Sequence, residues 1–351
     1  MNPAERALRR TDAIQQRFLP SAFVFAIVKK YGDDNGGVLA SNLAYSAFVS
    51  LFPLLLVLVT VLGLAASVDA GFRQEILDAV AGQVPLIGHQ LTGSVHALRR
   101  SSIIGLAVGL AGLVWGATGL AQSGLFAMEQ VWNVPGPARP GYVQRLGRSL
   151  AFLGLLGAGV AATTALASLN TYGRKAAGFV VLAEILAAVV NAGMFMAVYR
   201  ALTPKGVPAR KLWPGAAAAG VAWTLLQILG TYLVHHYLSS DSLYGVFGTV
   251  LGLMAWIYLA VQVTIYAAEI NVVLARRLWP RSIVQPPLTE ADRASLAVQA
   301  LENQRRPEQR VEVSFDDRQP GAPAPDTTPE TPGEIAPPAP GPGGPRHRPG
   351  S

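Results

Sequence analysis

The sequence predicts an all-α polytopic membrane protein: six transmembrane helices, interfacial amphipathic helices and a disordered C-terminal tail. Three observations lead there. Of 351 residues, 51% are hydrophobic and only 14% charged, where a soluble domain carries about a quarter; so few charges cannot coat a globule. Six stretches approach or exceed the roughly 20 apolar residues that cross a hydrocarbon core as a helix. The 28 Lys and Arg fall 23 to one side of such a six-span chain and 5 to the other. Without those beyond Arg281 the division is still 16 to 5. Basic loops stay in the cytoplasm, so both termini are expected there, and the span number is expected to be even. The net charge of +7 thus reads as a topology signal, and no nucleic-acid partner is expected. Zero cysteines exclude disulfides and thiol chemistry.

Residues 1–42 hold Arg6, Arg9, Arg10 and Arg17 beside Phe18, Phe23, Phe25, Ile27 and Val28, with no apolar core ahead of a cleavage site. That mixture suits a helical region on the cytoplasmic interface. A six-helix membrane domain follows over 43–280. Its first span covers 43–66, apolar all round from Leu54 to Ala66. In 71–100, Phe72, Ile76, Val80 and Val84 recur every fourth residue before Pro85, the pattern of an amphipathic segment on the opposite, extracytoplasmic surface. The next spans are 103–128, 150–170 and 178–202, the last two parted by Asn170, Tyr172, Arg174 and Lys175. Spans 212–236 and 243–275 are parted by His235, His236 and the polar run 239–242; the final one is long enough to tilt. Over 281–306, Thr289 and Asp292 resemble a capping box ahead of Leu296, Val298 and Leu301, predicting a short cytoplasmic helix. Residues 307–351 carry eleven prolines from Pro320 onward among Gly, Ala and Thr. Such a segment buries too little to offset its ordering entropy and is expected to be disordered.

Polar side chains inside a bilayer need a protein partner or an aqueous cavity. On the first span Asn42, Tyr45 with Ser46, Ser50 and Pro53 share a face. The second offers Trp115, Thr118, Gln122 and Ser123 beside Gly109, Gly112, Gly116 and Gly119, with Glu129 at its end. The fifth carries Thr224, Gln227, Thr231 and His235 on one face. On the sixth, Tyr258, Gln262, Tyr266 and Glu269 recur at steps of four, four and three, followed by Asn271, with Tyr244 at the outer end. These residues form either the walls of one polar cavity or polar and small-residue contacts between helices. Glu269 needs a partner, and Asn42, Arg200 and the basic residues of the inner loops are the candidates. The glycine faces suit packing within the chain or a homo-oligomer equally well.

Three segments resemble the YihY/BrkB family of bacterial inner-membrane proteins: Leu43 to Leu55 (LAYSAFVSLFPLL), Leu113 to Leu120 (LVWGATGL), and Leu243 to Gly248 (LYGVFG) continuing to Ala268-Glu269-Ile270-Asn271. The resemblance covers about residues 15–280. It implies six membrane helices, an inner-membrane address and an envelope role, with transport or flipping of an envelope component as the proposed activity. Members were once labelled ribonuclease BN. A metal nuclease clusters His, Asp and Glu around its cations, whereas His89, His96, His235, His236 and His347 are scattered and no HxHxDH run occurs. No enzymatic activity, metal or cofactor is therefore expected. The expected partners are membrane lipids and an envelope lipid or small molecule, and the competing expectation is a non-transporting envelope scaffold or assembly factor.

Overall fold

The structure is a computed structural model that describes residues 3–65, 103–173, 177–204, 206–237 and 245–315; among them helices and turns occur and no strand does. The helices are α1 (Pro3–Arg17), α2 (Leu19–Asp33), α3 (Gly36–Ala65), α4 (Ile103–Val131), α5 (Tyr142–Gly173), α6 (Ala177–Leu202), α7 (Trp213–Tyr237), α8 (Gly245–Arg276) and α9 (Glu290–Glu302). Short 3₁₀ turns at Gly136–Ala138 and Ala209–Lys211 lead into α5 and α7. The chain divides into a body, Met1–Val313, and a second unit, Ser314–Ser351.

Helices α3 to α8 form a ring. Each packs on its successor, and α8 closes the ring by packing on both α7 and α3. Glycines permit the closest approaches. A Cβ on Gly116 would lie 3.1 Å from the Ser50 backbone, and one on Gly112 would lie 3.2 Å from Pro53. Across α6 and α7, a Cβ on Gly220 would press into the Ala192 backbone. The continuous core gathers at one end of the ring, where Leu125, Met128, Tyr199, Leu212, Ile265 and Leu278 are fully buried. That end also holds α2 and the basic residues of the α4–α5 and α6–α7 turns, and is called the basic end below.

The outer surface of the ring is apolar. Val114 is 63% exposed and Val189 61%, and Val221, Leu225 and Ile228 are all more than half exposed. A surface of that kind is untenable in water and suits lipid. Four described stretches are long and apolar enough to cross a membrane: Gly36–Leu56, Ala107–Val131, Ile185–Leu202 and Val250–Arg276. Each of the six expected spans coincides with a helix, and these four meet both requirements.

Three features add to the expectations. Helix α3 starts at Gly36, well before Leu43, because Asn35 takes a left-handed turn (φ 54°) that ends α2 and starts α3 directly; Asn tolerates that region better than most residues. Helix α2 does not simply rest on the interface. Its outer face exposes Leu19, Val24 and Val28, but Ala22, Ala26, Ile27, Lys30 and Tyr31 are buried, and the helix packs on α8. Residues 281–305 do not stand apart either. The Asp12 carboxylate accepts the backbone N–H groups of Ile283 (3.0 Å) and Val284 (3.4 Å), and the Gly136 N–H donates to the Gln304 carbonyl at 3.0 Å. The expected segment 71–100, the tail from 316 and Tyr244 lie outside the described residues.

Candidate functional site

Three places are candidates, and most of the residues singled out by the sequence fall in or beside the first two. The first is a polar seam between α2 and α8 at the basic end. The α8 periodicity of four, four and three turns Tyr258, Gln262, Tyr266 and Glu269 toward α2. Tyr31 stacks on Tyr266 with ring centroids 4.0 Å apart, and Gln262 donates from Nε2 to the Tyr31 hydroxyl at 3.4 Å. Burial pushes the Tyr31 phenol pKa up, partly offset by that hydrogen bond. Glu269 is completely buried, and its partner is Lys30, whose Nζ stands 3.7 Å from Oε2. Lys30, also buried, pairs with Asp34 one turn along and donates to the Val131 carbonyl at 3.2 Å. Asp34 accepts from Asn133 Nδ2 at 3.1 Å, and the same amide donates to Glu302 at 3.0 Å. Arg276 completes the group, donating to the Trp132 carbonyl at 2.5 Å.

Lys30, Asp34, Asn133 and Arg276 were not singled out in the sequence. The signal for Lys30 is slight: Lys29 and Lys30 stand four positions before Asp33 and Asp34, a pattern that exposed helix pairs also give. Asn42 and Arg200, offered as partners of Glu269, are solvent- or lipid-exposed. Asn271 holds α7 to α8 instead, its Oδ1 accepting the Gly215 N–H at 2.7 Å.

The second place is an open groove on the outer face between α3 and α4. Tyr45, Ser46, Val49, Trp115, Thr118 and Gln122 line it, with a volume of about 330 Å³. Ser46 and Ser123 share a hydrogen bond of 2.7 Å at its floor. Tyr45 and Trp115, 61% and 72% exposed, face outward here. Ser50 and Pro53 lie beside the groove in the glycine contacts with α4.

The third place is the centre of the ring, a cavity of about 350 Å³ to which all six helices contribute. Leu51, Phe152, Met194, Phe195, Trp223 and Trp256 are among its walls. Its polar groups are few and already engaged. Asn191 Nδ2 donates to Thr224 Oγ1 at 3.2 Å, and Tyr199 donates to the Thr264 carbonyl at 2.7 Å. Gln227 is half-buried on α7 outside this lining. Of the two alternatives for the polar stripes, the geometry favours contacts over one shared cavity: they go to the seam, the groove and helix contacts, and the central space is apolar. A helix has only one inward face, and on α3 and α8 that face is taken by Leu43, Ala47, Leu51, Leu253, Ile257 and Ala260.

At the basic end, the capping box of α9 forms: Thr289 accepts from the Asp292 N–H, and the Asp292 side chain accepts from the Thr289 N–H. The buried Asp292 carboxylate also takes Lys29 and the Arg281 Nε, each at 2.9 Å, and the Ser282 hydroxyl at 2.6 Å. Burial alone would raise its pKa, but the Ser282, Lys29 and Arg281 hydrogen bonds hold it well below the usual carboxylate range. Among described residues no group of three or more His, Cys, Asp or Glu is placed to hold a metal ion. All five histidine side chains lie outside those described.

A ring of apolar helices with lipid-facing walls, tied at one end by buried ion pairs, defines a polytopic helical membrane protein. The chain belongs to the Virulence factor BrkB family, which matches residues 27–289. It is 23% identical over 270 residues to the ribonuclease-like protein YfkH of Bacillus subtilis (strain 168), covering 73% of this chain and 96% of that one. A UPF0761 membrane protein of Aliivibrio salmonicida (strain LFI1238) is 26% identical over 67% of this chain and 77% of its own. One of Psychrobacter sp. (strain PRwf-1) is 21% identical over 72% of this chain, which spans 48% of that longer protein. No solved structure matches the chain.

Proposed function

We propose that the protein sits in the bacterial inner membrane with six spans and both termini in the cytoplasm, and moves or holds a lipid of the envelope. The observation that supports it is the central cavity. Its volume of about 350 Å³ falls within the about 300–1,000 Å³ of ligand pockets, and its lining is hydrocarbon and aromatic. Such a space receives a lipid chain and rejects a hydrated solute, whose polar groups would find no partners there. The polar stripes no longer support a solute pathway, so a lipid is the better substrate class. The charge bias of the loops supports the orientation.

Reconstitution into liposomes with a fluorescent phospholipid tests this. Wild type is expected to move lipid between leaflets faster than protein-free vesicles, and Ala260→Phe, which fills the cavity from α8, to abolish the excess while the protein remains helical by circular dichroism. Equal background rates for both would overturn lipid movement and favour the non-transporting scaffold.

A further inference from the structure

Below the central cavity, at the basic end, lies a cluster of cations that the α2–α8 seam does not use. Glu129, in the last turn of α4, is fully buried. Its Oε2 accepts from Arg145 at 2.6 Å and stands 3.9 Å from Arg139. Arg148, one turn along α5, is close enough to Glu129 and to Arg200 of α6 to feel both charges: burial lowers its pKa, Glu129 opposes that and Arg200 adds to it. Arg139, Arg145 and Arg148 thus gather about one carboxylate, with Arg200 near Arg148, while Arg139 also reaches Glu302 at 3.6 Å. The excess is positive.

The hydrogen bonds of this cluster are incomplete in one chemical sense. Arg145 Nε, Arg148 Nη1, the Ser149 hydroxyl and the Thr203 hydroxyl are all buried with no partner. Ser149 and Thr203 are each only 1% exposed. Buried polar atoms are normally paired, and leaving one unpaired costs about 1–3 kcal/mol. Four atoms able to donate, from α5 and the end of α6, await an acceptor. Glu129 Oε1 is also unpartnered but satisfies none of them. The cluster adjoins the cavity directly. Met128, Phe152 and Leu202 line that space, and they are the chain neighbour of Glu129, the residue one turn on from Ser149, and the chain neighbour of Thr203.

We propose that Arg145, Arg148, Ser149 and Thr203 bind the phosphate of a phospholipid whose chain enters the central cavity. Phosphate oxygens are the acceptors such a set lacks, and guanidinium groups match them in pairs. The proposal rests on the lipid reading of the cavity and adds the headgroup class and its binding residues.

The test uses the full chain in detergent, with the shift in melting temperature and native mass spectrometry as readouts. Dioleoyl-phosphatidylglycerol carries both parts of the ligand, diacylglycerol lacks the phosphate, and inorganic phosphate lacks the chains. Phosphatidylglycerol is expected to bind and raise the melting temperature, with affinity at least tenfold above diacylglycerol. Millimolar phosphate alone should produce no shift. Arg148→Gln should weaken phosphatidylglycerol at least tenfold, whereas Arg310→Gln, an exposed arginine outside the cluster, should not. Ser149→Ala and Thr203→Val keep the proposal testable if Arg148→Gln misfolds. Removing an unpartnered buried hydroxyl should leave the lipid-free melting temperature unchanged or higher while weakening the lipid, a split that a purely structural role would not produce. Equal binding of phosphatidylglycerol and diacylglycerol, full displacement by phosphate alone, or unchanged binding by the two hydroxyl variants would each overturn the site. Phosphatidylglycerol binding without lipid movement would sink only the function proposed above; movement without such binding would sink only the site.

Discussion

Glu269 is conspicuous in the sequence as an acid within the last span, but the coordinates move the weight to Lys30. Lys30 is buried among two carboxylates and a carbonyl, with Asp34 nearer to it than Glu269. Removing one member of a buried ion pair is costly because the remaining charge is stranded, by about 3–5 kcal/mol. Lys30→Met leaves Asp34 and Glu269 together without their shared cation and should lower stability by that order. Glu269→Gln leaves Lys30 its nearer acid and should cost well under half as much. Thermal unfolding of both variants in one detergent checks the ranking; equal losses would show that Glu269 is the principal partner. Asp292 allows a prediction in pH. Its folded pKa is depressed, so the stabilisation it provides is present above the unfolded value, about 3.9, and is lost as pH falls through the folded value. Wild type should therefore lose melting temperature below about pH 4. Asp292→Asn should be destabilised at neutral pH and should lack that acid-dependent component.

At the scale of elements, helix positions were legible because each is a long apolar run punctuated by charged or Gly-Pro turns. Their partners were not. The period of Tyr258, Gln262, Tyr266 and Glu269 marks a polar face on α8, but nothing local says that α2 covers it; that pairing joins residues more than two hundred positions apart. The Thr289–Asp292 capping box was readable from four adjacent residues, whereas the further use of Asp292 to hold Lys29 and Arg281 was not. Glycine is the same lesson in packing. Gly112, Gly116 and Gly119 look alike in sequence, yet a Cβ on Gly116 meets Ser50 and one on Gly119 meets nothing within 4 Å. Gly215 is tighter still, since a Cβ there would run into the Ala267 carbonyl oxygen and the Asn271 amide. Helix propensity alone favours alanine over glycine by about 1 kcal/mol. Gly119→Ala should therefore be neutral or stabilising in thermal unfolding, Gly116→Ala mildly destabilising, and Gly215→Ala clearly so, because a backbone carbonyl cannot rotate away as a side chain can. Equal behaviour of the three would contradict the close α3–α4 and α7–α8 contacts.

For the whole molecule, the question is which parts can be removed without loss of the body. A boundary near 281 looked natural in the sequence, where the apolar runs stop. The fold moves it to about 314, the start of the second unit, because residues 281–305 supply acceptors to cations from the other end of the chain. Truncation after Arg281 deletes Asp292 and Glu302 together. Lys29 and Arg281 then lose a buried carboxylate, Asn133 loses Glu302, and the Asp12 carboxylate loses two backbone donors. Lost hydrogen bonds to charged groups cost about 1.5–3 kcal/mol each, so this truncation should collapse the basic end and remove activity of any kind, lipid movement or scaffolding alike. Truncation after Val313 deletes none of these contacts and should leave the melting temperature within a degree or two of wild type. The second truncation is therefore the one that separates the two functional readings. A lipid-moving body should keep its reconstituted rate without residues 314–351, while a scaffold that recruits through its proline-rich tail should keep its fold and lose its role in the cell.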